Sequence, residues 1–124
     1  MRSTIPQLAI TISIFLALSA GTARAIDDLQ RKRIDYLITS VENLGGAKFV
    51  RNGSGHDGKE AAAHLRMKLG KAGSRVRSAE DFIDLCATKS YLSGKPYLIV
   101  FPDGRTVSSG DFLRERLHHY PKQR

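Results

Sequence analysis

With 124 residues and a formal net charge of +8 at pH 7, from 20 Lys and Arg against 12 Asp and Glu, the chain is short and strongly basic. That length excludes more than one small domain after any leader is set aside. A single cysteine, Cys86, excludes an intrachain disulfide.

The first element reads as an address rather than part of the fold. The amino terminus and Arg2 precede an apolar stretch from Leu8 to Ala20, and Ala23-Arg24-Ala25 then supplies a small-x-small cleavage pattern. The stretch is shorter than the ~18–20 apolar residues that span a bilayer, so it reads as a signal-peptide core. The expected division is a cleavable signal peptide over 1–25 and one domain over 26–124, with no transmembrane segment after cleavage. No Arg-Arg pair marks the leader and no Cys follows the cleavage site, which points to Sec-type export into the periplasm. The mature part holds 99 residues and a charge of +6, from 18 basic and 12 acidic residues.

Ile34, Leu37, Ile38, Val41 and Leu44 recur at spacings of three and four, which predicts an amphipathic helix from about Asp27 to Leu44, ended by Gly45-Gly46. Lys48 to Arg51 alternates polar and apolar residues and predicts a short extended segment. Asp57 and Glu60 have capping-box spacing, so a second helix should run from Gly58 to Leu69 and stop at Gly70, with Ala61, Leu65 and Leu69 inward and Ala62 and Ala72 on the margins. Ser78 and Asp81 repeat that spacing and open a third helix to about Thr88, buried through Phe82, Leu85 and Cys86. Cys86 reads as a buried thiol acting as a small hydrophobe.

Tyr97 to Phe101 is the strongest strand signal, and Pro102-Asp103-Gly104 should turn it into a hairpin with Arg105 to Val107. Ser108 and Asp111 cap a last helix, buried through Phe112, Leu113, Leu117 and Tyr120. The expected fold class is α+β: a small, mostly helical single domain with about four helices and a short antiparallel hairpin or sheet.

Three segments carry potential chemistry. Gly53 through Glu60 nearly spells a phosphate-binding loop, but Glu60 stands where a hydroxyl would hold magnesium, so the resemblance is a turn followed by a helix cap. His56, Glu60 and His64 are spaced by four. Because His56 precedes the cap, the expected pair is Glu60 with His64, a structural polar contact rather than a metal site. Arg66, Lys68, Lys71, Arg75 and Arg77 form a basic stretch for which export removes nucleic acid as a partner, leaving anionic lipid head groups, other envelope phosphates or acidic polymers.

Arg51-Asn52-Gly53-Ser54 and Ser90 to Tyr97 are loops feeding strands, and each is either a site or an internal brace. If the strands pair, the loops meet beside the second helix. The candidate ligand-binding residues are therefore Arg51, Asn52, Glu60, His64, Ser90, Ser93, Lys95 and Tyr97, with no catalytic residue, metal ligand or cofactor assigned. The leading expectation is a non-enzymatic periplasmic module that recognises an anionic envelope component or a protein partner. The alternative is a small hydrolase or metal-dependent enzyme using Glu60 and His64.

Phe49-Val-Arg-Asn-Gly-Ser, Glu60-Ala-Ala-Ala-His-Leu-Arg-Met-Lys, Ala79-Glu-Asp-Phe-Ile and Ser90-x-x-Ser-Gly-Lys-Pro-Tyr97 occur in that order. In these motifs the chain resembles the YfeK-like family of small exported proteobacterial proteins, a domain of unknown function. The resemblance implies an exported single domain and assigns no reaction, substrate or cofactor.

Overall fold

The computed structural model describes residues 26–122, so the leader assigned to residues 1–25 lies outside them. Helix α1 (Asp28–Glu42) is followed by strands β1 (Lys48–Arg51) and β2 (Ser54–His56), helices α2 (Gly58–Ala72) and α3 (Ala79–Cys86), strands β3 (Leu98–Val100) and β4 (Thr106–Ser108), and helix α4 (Ser109–His118). The fold is a small α+β domain built from four helices and an antiparallel sheet in the order β2-β1-β3-β4. Among the described residues no helix is long and apolar enough to cross a membrane.

Each helix begins where a short polar side chain can take up a free backbone N–H. Asp27 accepts from the Gln30 N–H, Asp57 from Glu60, Ser78 from Asp81 and Ser108 from Asp111. The helices cover one face of the sheet. Phe49 and Ile99 are register partners on that face and are buried. Ile34, Leu37, Ile38 and Val41 of α1, Leu65 of α2, Phe82 and Ile83 of α3, and Leu113 of α4 join them in one apolar core. Cys86 is free and buried within it, and burial pushes its thiol pKa up.

Four local expectations change. The segment expected as a loop after Arg51 is a tight hairpin. Asn52 and Gly53 both have positive φ (49° and 81°), and Arg51 faces Ser54 across them. That is the backbone of a two-residue primed turn, for which Asn-Gly is the preferred pair, so Ser54–His56 becomes a strand. Helix α2 runs through Gly70 to Ala72 and is capped by Gly73 at φ 55°. Burial of Ala72 and the cap at Gly73 together offset the ~1 kcal/mol helix penalty of an internal glycine. The buried stripe of α2 is Ala62, Leu65 and Ala72, while Ala61 and Leu69 are only half-buried. Helices α1 and α3 end at Glu42 and Cys86, about one turn or less before the expected stops.

One glycine is required by packing. Gly58 is buried at the start of α2, and a Cβ there would lie 2.7 Å from the Val41 carbonyl oxygen and 2.8 Å from that of Glu42. The end of α1 and the start of α2 therefore touch backbone to backbone. This contact sets where the side chains of α2 stand over the sheet.

Candidate functional site

Strand alternation puts Arg51 on the same face as Phe49, and Tyr97 on the same face as Ile99. Because β1 and β3 pair antiparallel, with Val50 opposite Leu98, Arg51 and Tyr97 come side by side beneath α2. Helix α2 presents Glu60, Ala61, His64 and Leu65 toward them, and the hairpin returns His56 to a place opposite Phe49. Together they enclose a pocket of about 70 Å³ with an apolar floor that includes Val41, Phe49 and Leu65. Its polar rim is Arg51, His56, Glu60, His64 and Tyr97. This is room for a few waters or the head of a small anion.

The side chains pair differently from the helical spacing. Glu60 bonds to His56, Nδ1 to Oε2 at 2.9 Å, and not to His64. The Glu60–His64 pair expected at i, i+4 does not form, because the hairpin carries His56 back to the helix start and competes for the carboxylate. His64 instead meets Arg51, whose Nη1 lies 2.5 Å from Nδ1 and 2.8 Å from Nε2. A guanidinium N–H can donate only to an unprotonated ring nitrogen, and neutral imidazole has one, so Arg51 donates to either Nδ1 or Nε2 according to the tautomer and not to both.

The electrostatics agree with that requirement. The His64 pKa is lowered from its ordinary 6.5 to about 4, first by burial and then by the positive charges of Arg51, Lys68, His56 and Lys71. A base this weak is poorly matched to proton abstraction near neutrality. Tyr97 is buried, stands edge-on to His64 with ring centroids 6.1 Å apart, and accepts at its hydroxyl from Lys68 Nζ at 2.9 Å. Among the described residues no group of three His, Cys, Asp or Glu side chains is arranged to hold a metal.

The remaining candidates form a separate cluster. Asn52 donates from Nδ2 to Ser90 Oγ at 3.2 Å and accepts at Oδ1 from the Ser93 hydroxyl at 2.5 Å. Ser93 Oγ also accepts from the Lys95 backbone N–H at 3.2 Å. Ser90 is buried, and its N–H donates to the Lys95 carbonyl at 3.0 Å. This network ties the β1–β2 turn to the loop before β3. Lys95 joins it through its backbone, and its side chain is exposed. Arg51, Glu60, His64 and Tyr97 thus share the pocket, whereas Asn52, Ser90 and Ser93 brace the loops beside it.

Two further residues belong to the site. By sequence His56 merely precedes the helix, and its pocket position becomes legible only once Asn52-Gly53 is taken as a hairpin turn. Its Nε2 is buried with no hydrogen-bond partner among the described residues. Lys68 stands four residues after His64, one turn along the same stripe of α2, and reaches both Tyr97 and, at 3.4 Å, the Lys89 carbonyl.

The chain is similar to known sequences along most of this domain. It is 41% identical over 68 residues to the "Uncharacterized protein YfeK" of Salmonella typhimurium (strain LT2), a match covering 55% of this chain and 57% of that relative's length. The chain therefore spans less than two thirds of the curated relative it matches. No solved structure matches. The model of a family of unknown function, DUF5329, matches residues 28–121, the whole of the α+β domain from α1 to beyond α4. The chain belongs to that family.

Proposed function

We propose that the protein is exported, processed before Ile26, and works in the periplasm as a non-enzymatic binding module of the cell envelope. It holds an anionic group, carried by an envelope component or a protein partner, at Arg51. The observation that carries this reading is a half-buried guanidinium on the pocket rim whose partner is a neutral imidazole. Among the described residues Arg51 has no carboxylate within ion-pair distance. Lys68 adds a second cation beside Tyr97. Burial is the main reason the His64 pKa is low, and the positive field of Arg51 and Lys68 that lowers it further also draws an anion into the pocket. Glu60, the nearby carboxylate, is largely exposed and engaged with His56.

The test uses the processed chain and inorganic phosphate and acetate as probes. Both should shift the His64 resonances in an NMR titration and raise its pKa above about 4, with affinity weakening as salt is added. Arg51→Gln should lower phosphate affinity at least tenfold, since a hydrogen bond to a charged group contributes ~1.5–3 kcal/mol. If neither anion moves His64, or if Arg51→Gln binds as the wild type does, the anion-binding reading is overturned. Recovery of the chain with residues 1–25 attached in the cytosolic fraction would overturn the periplasmic one.

A further inference from the structure

Apart from the pocket, the most exposed large apolar side chains among the described residues lie together on one loop, close to cations that form no ion pair. Tyr91 and Leu92, at the tip of the loop before β3, are 68% and 97% exposed. The base of that loop is closed by the Ser90 N–H to Lys95 carbonyl bond, the Gly94 N–H to Ser90 carbonyl bond and a bridge between Lys89 and Pro96. Asn52 fastens it to the sheet through Ser90 and Ser93. The tip is therefore tied at its base, with Leu92 almost wholly in solvent and Tyr91 lying partly along the surface beside Leu85 and Lys68.

Cations lie beside it. Lys68 Nζ lies 5.2 Å from the Tyr91 ring centroid, and Lys68, Lys71 and Arg75 share with Tyr91 and Leu85 the walls of a shallow cleft. Lys89 and Lys95 flank the loop at its base. None of these five cations forms an ion pair among the described residues, whereas Arg66, Arg105 and Arg114 each do. A single exposed leucine is ordinary on a protein surface. A Tyr-Leu tip with unpaired Lys and Arg beside the tyrosine and at the loop base is the composition of an interfacial anchor. In such an anchor an apolar tip enters the acyl boundary, a tyrosine sits at head-group level, and basic stems keep their charges at the lipid phosphates.

We propose that this face docks the protein on an anionic phospholipid bilayer, with Leu92 inserted, Tyr91 at head-group level and Lys71, Arg75, Lys89 and Lys95 against the head groups. Leu92 is almost fully exposed at the tip, which suits insertion into a bilayer surface. A protein groove for an acidic partner would instead meet the cations and leave the tip's apolar side chains to find a cavity. The docking face is distinct from the anion pocket at Arg51, with Lys68 lying between Tyr97 and Tyr91 at their border.

The chain has no tryptophan, so Leu92→Trp provides a single fluorescent reporter at the tip. In the processed chain, which contains all four helices, the sheet and the core, its emission should shift to the blue on vesicles rich in phosphatidylglycerol. It should stay unshifted on pure phosphatidylcholine. By vesicle co-sedimentation, Leu92→Ser should weaken binding about tenfold, the worth of one buried leucine. Lys71→Gln and Lys89→Gln should each weaken it about fivefold, with steep loss as salt rises. Unchanged circular dichroism and an unchanged phosphate response at Arg51 would separate this face from the pocket. Unshifted emission on anionic vesicles, or equal sedimentation of wild type and Leu92→Ser, overturns the proposal. So does binding to soluble polyglutamate as tight as to anionic vesicles, which would assign the face to an acidic protein.

Discussion

Arg51 and Asn52 are neighbours in the chain and have opposite fates in the fold. Asn52 sits in the turn with positive φ and engages both ends of its amide inside the molecule, on Ser90 and Ser93. Arg51, one residue earlier and still in the strand, points under α2 and meets an imidazole in place of a carboxylate. The first is a closed polar network, in which each group has its partner and the product is rigidity. The second leaves a cation with its charge unanswered at the edge of a cavity, a geometry suited to binding. Adjacent polar residues thus divide into brace and site according to whether the fold completes their partners.

The largest way to break this comparison is through the helix that roofs the pocket. Gly58→Ala would drive a methyl group into the Val41 and Glu42 carbonyls and lift α2 from α1. Urea denaturation should show a stability decrease of about 3 kcal/mol, near the upper end for overpacking. The NMR signature of the Arg51–His64 hydrogen bond should disappear in the same variant.

Asn52→Ala strikes the brace alone. It removes two side-chain hydrogen bonds, leaves the buried Ser90 hydroxyl without its partner and puts alanine in a left-handed turn position. About 2 kcal/mol of stability should go, while phosphate affinity at the pocket stays within about twofold. Arg51→Gln should show the reverse pattern, and equal effects of the two changes on stability would erase the distinction between brace and site.

The pH dependence belongs to the pocket, and it is smaller because His64 is only half-buried and solvent screens much of the effect. The unfolded chain protonates His64 near its ordinary 6.5, and the folded chain only near 4. Between those values the unfolded state holds more protons. The His64 contribution is therefore full above pH 6.5 and is lost as pH falls toward about 4. The difference in unfolding free energy between wild type and His64→Gln should be flat above pH 6.5 and decline below it. A difference that stays flat down to pH 4 would mean His64 titrates normally. The smallest effect is expected from Lys95→Ala, whose side chain the brace does not use: within about 0.5 kcal/mol in stability, with pocket affinity unchanged.

Local chemistry by itself determined much of this protein. The helix starts at Asp57, Ser78 and Ser108 are legible because a cap is a contact over three residues, and the α1 face and the β3 strand because burial repeats with the period of the element. The Asn52-Gly53 hairpin is equally local, though its signal is diluted among the neighbouring glycines; from it, β2 and the place of His56 follow. That Arg51, Glu60, His64 and Tyr97 surround one pocket follows from strand pairing between segments about 40 residues apart, a pairing that sequence pattern suggests and only tertiary structure completes. Which carboxylate meets which imidazole was a tertiary decision. The spacing of Glu60 and His64 permits a bond that His56 wins by arriving on the next strand, which leaves His64 to Arg51. Helical spacing states which side chains can touch, and the competition among partners brought in from elsewhere in the chain settles which of them do.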